Sequence, residues 1–228
     1  MRYWPAVIEN HTFVPALFGV SPIVVDFGLN HGSFARNMIE RFNARVFGAE
    51  PSSDLYNALP RHRSLQTRKV AIGGADGVGE LALHTEICAS LYSKAGDVRS
   101  GVESVVVWSL ASFLRDFAID QIDLMKVDIE GAECDMFETA SADDLRRCKQ
   151  ITVEFHDFMI PELAPRVDKI KSRLEAAGFY RINFSLNNGD VLFIRRDVVR
   201  SLFVGFLNGP YKYVMGGLRR VRYMSVGK

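Results

Sequence analysis

Acidic residues stand in this sequence where apolar runs stop. Asp26 lies in VVDFGLNHGSF (24–34), Glu50 follows ARVFGA, Asp128 falls inside IDLMKVDIEGAE (122–133), and Glu154, His156 and Asp157 end ITVEFHD. A carboxylate at the end of a buried strand repels a phosphate and attracts an ammonium or a sulfonium. Paired with a histidine, it can also move protons. In an open parallel sheet ligands bind outside the carboxyl ends of the strands, so four strand ends carrying Asp26, Glu50, Asp128 and Glu154/His156 point to one crevice.

The first turn reads D-x-G-x-N-x-G, with Asp26, Gly28, Asn30 and Gly32 at its marked positions. Gly28 and Gly32 let the backbone turn sharply and approach a ligand with no Cβ in the way. A dinucleotide fingerprint would need G-x-G-x-x-G, so that a pyrophosphate could sit against helix N-terminal amides. Asn30 replaces the second glycine, and Asp26 suits a positively charged cofactor better. S-adenosylmethionine, with an α-amino group and a sulfonium, fits. The alternative is that Asp26 is only a turn residue. Glu50 lies one strand end further along, where an acid can hold both ribose hydroxyls; it can equally cap the helix that starts after Ser52 and Ser53.

Asp123, Lys126, Asp128, Glu130 and Glu133 crowd one strand and its exit. Charges held beside an apolar strand cost several kcal/mol unless paired, which points to function for Asp128. Glu130 and Glu133 can instead decorate a helix N-terminus. On the next strand Glu154 and His156 are two residues apart, a spacing that puts them on one strand face.

These residues need a scaffold. Strands are expected near 22–27, 45–49, 67–72, 122–128, 150–155, 179–185 and 190–195, and helices near 32–43, 52–59, 109–118, 132–139 and 161–177. The alternation predicts an α/β fold, a mostly parallel seven-stranded sheet with helices on both faces. The connection Leu186-Asn187-Asn188-Gly189-Asp190 is of hairpin type and predicts an antiparallel edge strand. Extra strands at Gly79–His84 and Glu103–Trp108 flank a polar loop, 85–102, whose Thr85, Glu86, Ser90, Tyr92, Ser93 and Lys94 could hydrogen-bond a substrate or simply be solvated. The expected organisation is an N-terminal segment (1–21), a cofactor-binding domain (22–196) and a basic aromatic tail (197–228).

The 228 residues, 48% hydrophobic and 24% charged, suit one soluble globular domain, and a net charge of +1 gives no reason to expect nucleic acid as a partner. Charge is uneven: eight basic residues and one acidic between Arg195 and Lys228 give that segment +7, leaving −6 for the remainder. Such a segment suits an anionic membrane surface, an acidic partner, a subunit contact, or packing on its own domain. Cys88, Cys134 and Cys148 have neither metal nor disulfide spacing, and no signal-type or membrane-spanning apolar run is present, so a cytoplasmic location is expected.

The motifs VVDFGLNHGSF, FGAEPS (47–52), KVAIGGADG (69–77), IDLMKVDIEGAE and EFHD (154–157) resemble, in order and spacing, the FkbM-type family of S-adenosylmethionine-dependent methyltransferases. The resemblance covers about residues 22–196, with KVDIEGAE its most specific part. It implies a Rossmann-like class I methyltransferase fold and O-methylation of a hydroxyl on a sugar, glycolipid or natural product. Carried over by position, Asp26, Gly28, Asn30 and Gly32 would cradle the methionine end, and Glu50 the ribose. Ala71, Ile72 or Asp76 would lie near adenine, and Asp128 near the transferred methyl. Leu29 stands where the family commonly has alanine, a change at the cofactor edge. His156 is the first choice of general base, since an unperturbed histidine titrates at ~6.5, and Asp128 the second. Alternatively Asp128, Glu154 and His156 ligate Mg²⁺ or Mn²⁺, which would acidify the hydroxyl. A nicotinamide-dependent oxidoreductase or epimerase is the rival enzyme, disfavoured by Asp26 and by the lack of any Tyr-x-x-x-Lys pair. A non-catalytic binding module using the basic tail is the other rival.

Overall fold

The computed structural model describes residues 4–84, 89–90 and 99–211. It opens with a short hairpin, β1 (Ala6–Ile8) and β2 (His11–Phe13). The main sheet then begins with β3 (Ile23–Phe27), α1 (Ser33–Phe42), β4 (Arg45–Ala49), α2 (Ser53–Ala58) and β5 (Leu65–Arg68). A side sheet follows: β6 (Ala71–Ile72), β7 (Gly77–His84), β8 (Ala89–Ser90) and β9 (Arg99–Trp108). The chain returns to the main sheet through α3 (Leu110–Asp116), β10 (Leu124–Val127), α4 (Glu133–Thr139), α5 (Ala142–Arg146), β11 (Gln150–Val153), α6 (Ala164–Ala176), β12 (Phe179–Asn183) and β13 (Val191–Arg195). It continues into α7 (Ser201–Phe206).

The seven-stranded sheet runs β12-β13-β11-β10-β3-β4-β5. The pairs from β11 across to β5 are parallel, whereas β13 is antiparallel to both its neighbours. The expected antiparallel pairing is thus at that edge, with the reversed strand inserted one place in from it. β3, β10 and β11 are buried on both sides because their alternate residues feed different cores. Val25, Phe27, Met125, Val127, Ile151 and Val153 pack with Phe113, Phe137 and Leu174 of α3, α4 and α6. On the opposite face Val24, Val46 and Leu124 pack with Phe13, Phe34 and Met38. Beside them Ile182, Leu192 and Ile194 pack with Val14, Val204 and Leu207, so α7 and the residues just after it lie on the sheet.

Single polar residues fasten the N-terminal segment to that second face. The Gln150 amide accepts from Val14 N at 2.7 Å and donates to Val14 O at 3.1 Å. Asp190 accepts from Thr12 N at 3.0 Å and from the Thr12 hydroxyl. The expected strand 67–72 is two strands, β5 in the main sheet and β6 in the side sheet, because the chain changes sheets at Lys69–Val70. The loop side chains Thr85, Glu86, Tyr92, Ser93 and Lys94, the Ser90 side chain, Cys88, and the tail from Lys212 onward lie outside what is described. Among the described residues no helix is long and apolar enough to cross a membrane.

Candidate functional site

Strand register builds the floor of the site. Asp26, Lys126 and Thr152 are directly paired across β3, β10 and β11, so their side chains form one row on one face. Lys126 Nζ lies 3.1 Å from Asp26 Oδ1 and donates to Gly28 O at 2.7 Å. Both side chains are buried, and neither Asp26 oxygen receives a well-aligned hydrogen bond, so the pairing is ionic rather than directional. Burial raises the Asp26 affinity for a proton against the pull of Lys126. Lys126 would lose affinity by burial, but Asp26 and Asp128 more than offset this and hold it as an ammonium. The row is roofed by Phe34 of α1 and by His11 of β2, whose rings are 5.8 Å apart. His11 is fully buried, with Nδ1 3.3 Å from Thr152 Oγ1 and Nε2 3.6 Å from Asp128 Oδ2.

One step further along the strands the chain opens into a cleft of about 590 Å³, counted out to solvent, walled by Gly28, Asn30, Glu50, Ala71, Ile72 and Asp128 among others. Gly28 has φ +80°, and a Cβ there would fall 1.8 Å from Asp128 O, so only glycine lets these two strand exits meet. Glu50 accepts from Asn30 N at 2.8 Å with one oxygen and from Ser52 N at 3.0 Å with the other. Burial raises its proton affinity, and those two amides pull it back. Glu50 therefore braces the start of α2 and also lines the cleft, which joins the two readings of this residue. Val70, Ala71, Ile72 and Leu81 give the same cleft an apolar wall.

The far wall is a charge cluster. After β10 the backbone enters the left-handed region at Glu130 (φ 53°) and Gly131 (φ 103°), turning the Glu130 carboxylate to 3.3 Å from His156 Nε2. Glu133, buried at the first turn of α4, accepts from Ile129 N and Gly131 N, both at 3.1 Å. It lies 2.9 Å from His156 Nδ1. Burial would lower the His156 affinity, but the Glu133 hydrogen bond and the carboxylates of Glu133, Glu130 and Asp128 raise it to about 9. Asp128 is opposed by burial, yet Lys126, His11 and His156 hold it well below the usual carboxylate range. Glu154 goes the other way: burial and the adjacent Asp128 charge push it up to about 7.

Several expectations change. Asp26 does not face the cleft as a direct ammonium ligand; it is 0% exposed and paired to Lys126. Gly32 caps α1 beneath the Pro60 ring, away from the cleft wall. Asp76 accepts from Ser109 N at 2.7 Å and from the Ser112 hydroxyl, capping α3 rather than meeting an adenine. Leu29 is buried over Gly48 and not at the cleft edge. β11 ends at Val153, and His156 starts a 3-10 turn, so the two-residue strand spacing of Glu154 and His156 does not apply. At neutral pH His156 is an imidazolium, the acid form, which removes it as a proton acceptor.

The metal set Asp128, Glu154 and His156 is not gathered as one group. Ring and carboxylate atoms lie within 4.8 Å of one another in two other trios, His11–Asp128–Glu154 and Asp128–Glu130–His156. With the Lys126 ammonium 3.4 Å from Asp128 and a cationic His156 beside it, these groups do not fit a divalent ion. Sequence reasoning missed His11, which belongs to no motif, and gave Lys126 no role. The available signal was the polar residues Gln150 and Thr152 inside an apolar strand and Asp190 just before another, since buried polar groups need partners.

A model of the FkbM methyltransferase domain matches residues 26–180. The chain is 24% identical over 185 residues to methyltransferase sdnD of Sordaria araneosa, covering 65% of this chain and 71% of that protein. A crystal structure of methyltransferase FkbM from Methylobacillus flagellatus KT superposes with a TM-score of 0.50 at 14% identity, over 78% of this chain and 44% of that one. This chain thus spans less than half of that crystallised protein. A TehB-like SAM-dependent methyltransferase from Corynebacterium glutamicum ATCC 13032 Kitasato aligns at a TM-score of 0.43 and 12% identity, over 79% and 84% of the two chains.

Proposed function

The chain belongs to the FkbM methyltransferase family, and from that premise we propose that it transfers a methyl group from S-adenosylmethionine to a hydroxyl oxygen of a sugar, glycolipid or related natural product. The observation that carries the reading is the double engagement of Glu50. The Asn30 amide, which a pyrophosphate would need, is already taken by this carboxylate. A dinucleotide would meet the Asp128 charge beside Gly28, where its phosphates should lie, whereas a ribose diol and a cationic amino-acid end find acceptors in Glu50 and Asp128. The nicotinamide alternative loses its anion site.

The cleft residues divide the work. Glu50 holds the ribose hydroxyls, and Val70, Ala71, Ile72 and Leu81 offer a flat apolar wall to adenine. Gly28 and Asn30 pass close to the methionine portion. Asp128, 27% exposed on the cleft side, presents the negative charge that Asp26 cannot. Asp26 acts from behind by holding Lys126, which fixes the Gly28 carbonyl and Asp128 together. When bound, S-adenosylmethionine supplies a methyl group already activated as a sulfonium. The acceptor hydroxyl must then be held ~3–3.5 Å from the methyl carbon and relieved of its proton.

Calorimetric titration with S-adenosylhomocysteine and with NAD tests this. S-adenosylhomocysteine should bind and NAD should not. Glu50→Ala, with its fold checked by circular dichroism, should weaken binding about ten-fold or more, the loss of ~1.4 kcal/mol. NAD binding by the wild type would sink the proposal. Hydroxylated acceptors are then screened by mass spectrometry for the gain of one methyl group.

A further inference from the structure

Resting on the methyl-transfer reading, we infer that Glu154 is the proton acceptor for the incoming hydroxyl, and that His11, from the N-terminal hairpin, positions it together with Asp128. The β10–β11 ladder ends at Val127 and Val153, and Glu154 N donates to Val127 O at 3.0 Å. Asp128 and Glu154 therefore leave adjacent parallel strands side by side at their carboxyl ends. A nitrogen of His11 and a carboxylate oxygen from each acid lie within 4.8 Å of one another.

What separates Glu154 from its neighbours is the lack of a dedicated partner. Asp26 has Lys126; Asp128 has Lys126 and the two histidines; Glu130 and Glu133 have His156; Glu50 has two amides. Among the described residues the half-buried Glu154 side chain has no hydrogen bond and no ion pair. The titratable groups facing it are Lys126 on β10, Asp128 and Glu130 just beyond that strand, His156 on its own segment, and His11 from β2. From the β12–β13 loop, Gly189 and the uncharged Asn187 side chain lie nearby. A carboxylate so placed holds a proton near neutrality, as its shift to about 7 indicates. Its competitors are spoken for: His156 is already protonated, and Asp128 is too weak a base.

His11 is too deeply buried to touch substrate, so it acts through the acids. In the tautomer where Nδ1 accepts from the Thr152 hydroxyl, Nε2 carries the hydrogen and faces the Asp128–Glu154 pair. Nε2 has no well-formed hydrogen bond in this arrangement, which leaves that donor available to the pair. In the reaction the acceptor O–H bond breaks and its proton passes to the Glu154 carboxylate. The O–C bond forms as the S–C bond breaks, and that bonding pair stays on sulfur. Glu154 later returns the proton to water.

The test needs no acceptor. In protein carrying ¹³C-labelled glutamate, the carboxyl resonance missing from Glu154→Gln should titrate near 7 rather than at the ordinary ~4.3. His11→Phe, which keeps the ring's bulk without an N–H, should raise that midpoint by about one unit, and His11→Gln, which restores an N–H, should move it less. Calorimetry with S-adenosylmethionine at pH 7, in buffers of different ionisation enthalpy, should show proton release that Glu154→Gln abolishes while still binding. An ordinary titration midpoint, or release that persists in Glu154→Gln, overturns the assignment. Failure of S-adenosylmethionine to bind overturns the methyl-transfer reading itself, whatever the titration shows.

Discussion

At the scale of single residues, the cluster around Asp128 shows neighbours deciding chemistry that residue type alone leaves open. His156 and Glu154 both bind a proton more tightly in the folded protein, at about 9 and about 7, than in an unfolded chain, at ~6.5 and ~4.3. The folded state therefore carries more protons, and stability falls as pH rises. The Glu154 contribution is complete below about pH 4.3 and is lost as pH passes 7; that of His156 is complete below ~6.5 and is lost as pH passes 9. Asp128, with a depressed affinity, works oppositely and only at acid pH. A calorimetric series from pH 6 to 9.5 should show a steadily falling melting temperature. Glu133→Gln should flatten its upper half, because the acceptor nearest His156 has lost its charge. An unchanged slope in that variant would place the proton elsewhere. Glu50, Asp128 and Glu154 were legible in the sequence because each follows an apolar run at a strand end. Their proton affinities were not, since these depend on burial and on where Lys126, His11 and His156 meet them in space.

Elements explain why some motif positions tolerate no change. The turn after β3 must clear both β4 and β10. At β4 a Cβ on Gly48 would lie 2.6 Å from Leu29 Cδ1, so the larger residue at 29 and the glycine at 48 are a matched pair. Gly48→Ala should cost about 1–3 kcal/mol through overpacking, and Leu29→Ala in the same chain should recover part of the loss. Urea melts of the two single variants and the double variant measure that coupling; strict additivity would refute the pairing. Most strands and helices followed from periodicity and glycine or proline punctuation. The short α5 was not foreseen, since five residues leave almost no periodic signal. The end of β11 was misjudged because Phe155 and His156 continue an alternating pattern that the backbone abandons for a 3-10 turn.

The whole molecule depends on contacts that span the chain. The parallel sheet was readable from alternating strands and helices, but the roof over its second face was not. Beside the expected α1, that roof comes from residues 6–14 and 201–207. Trp4 and Phe206, from opposite ends of the described chain, meet edge to face at 6.0 Å. Removing residues 1–17 should uncover Leu124 and Leu192 together and take from Gln150 and Asp190 their bonds to Val14 and Thr12. Hydrogen exchange should then show lost protection across β10, β11 and β13; protection equal to the full chain would mean the hairpin is dispensable. The inserted strand β13 has a consequence during synthesis. Until residues 179–195 emerge from the ribosome, β11 is an outer strand whose backbone groups and fully buried side chains await a partner made last. A nascent chain paused before Phe179 is a sheet lacking two of its seven strands, and the cell's chaperones would have their best hold on it there.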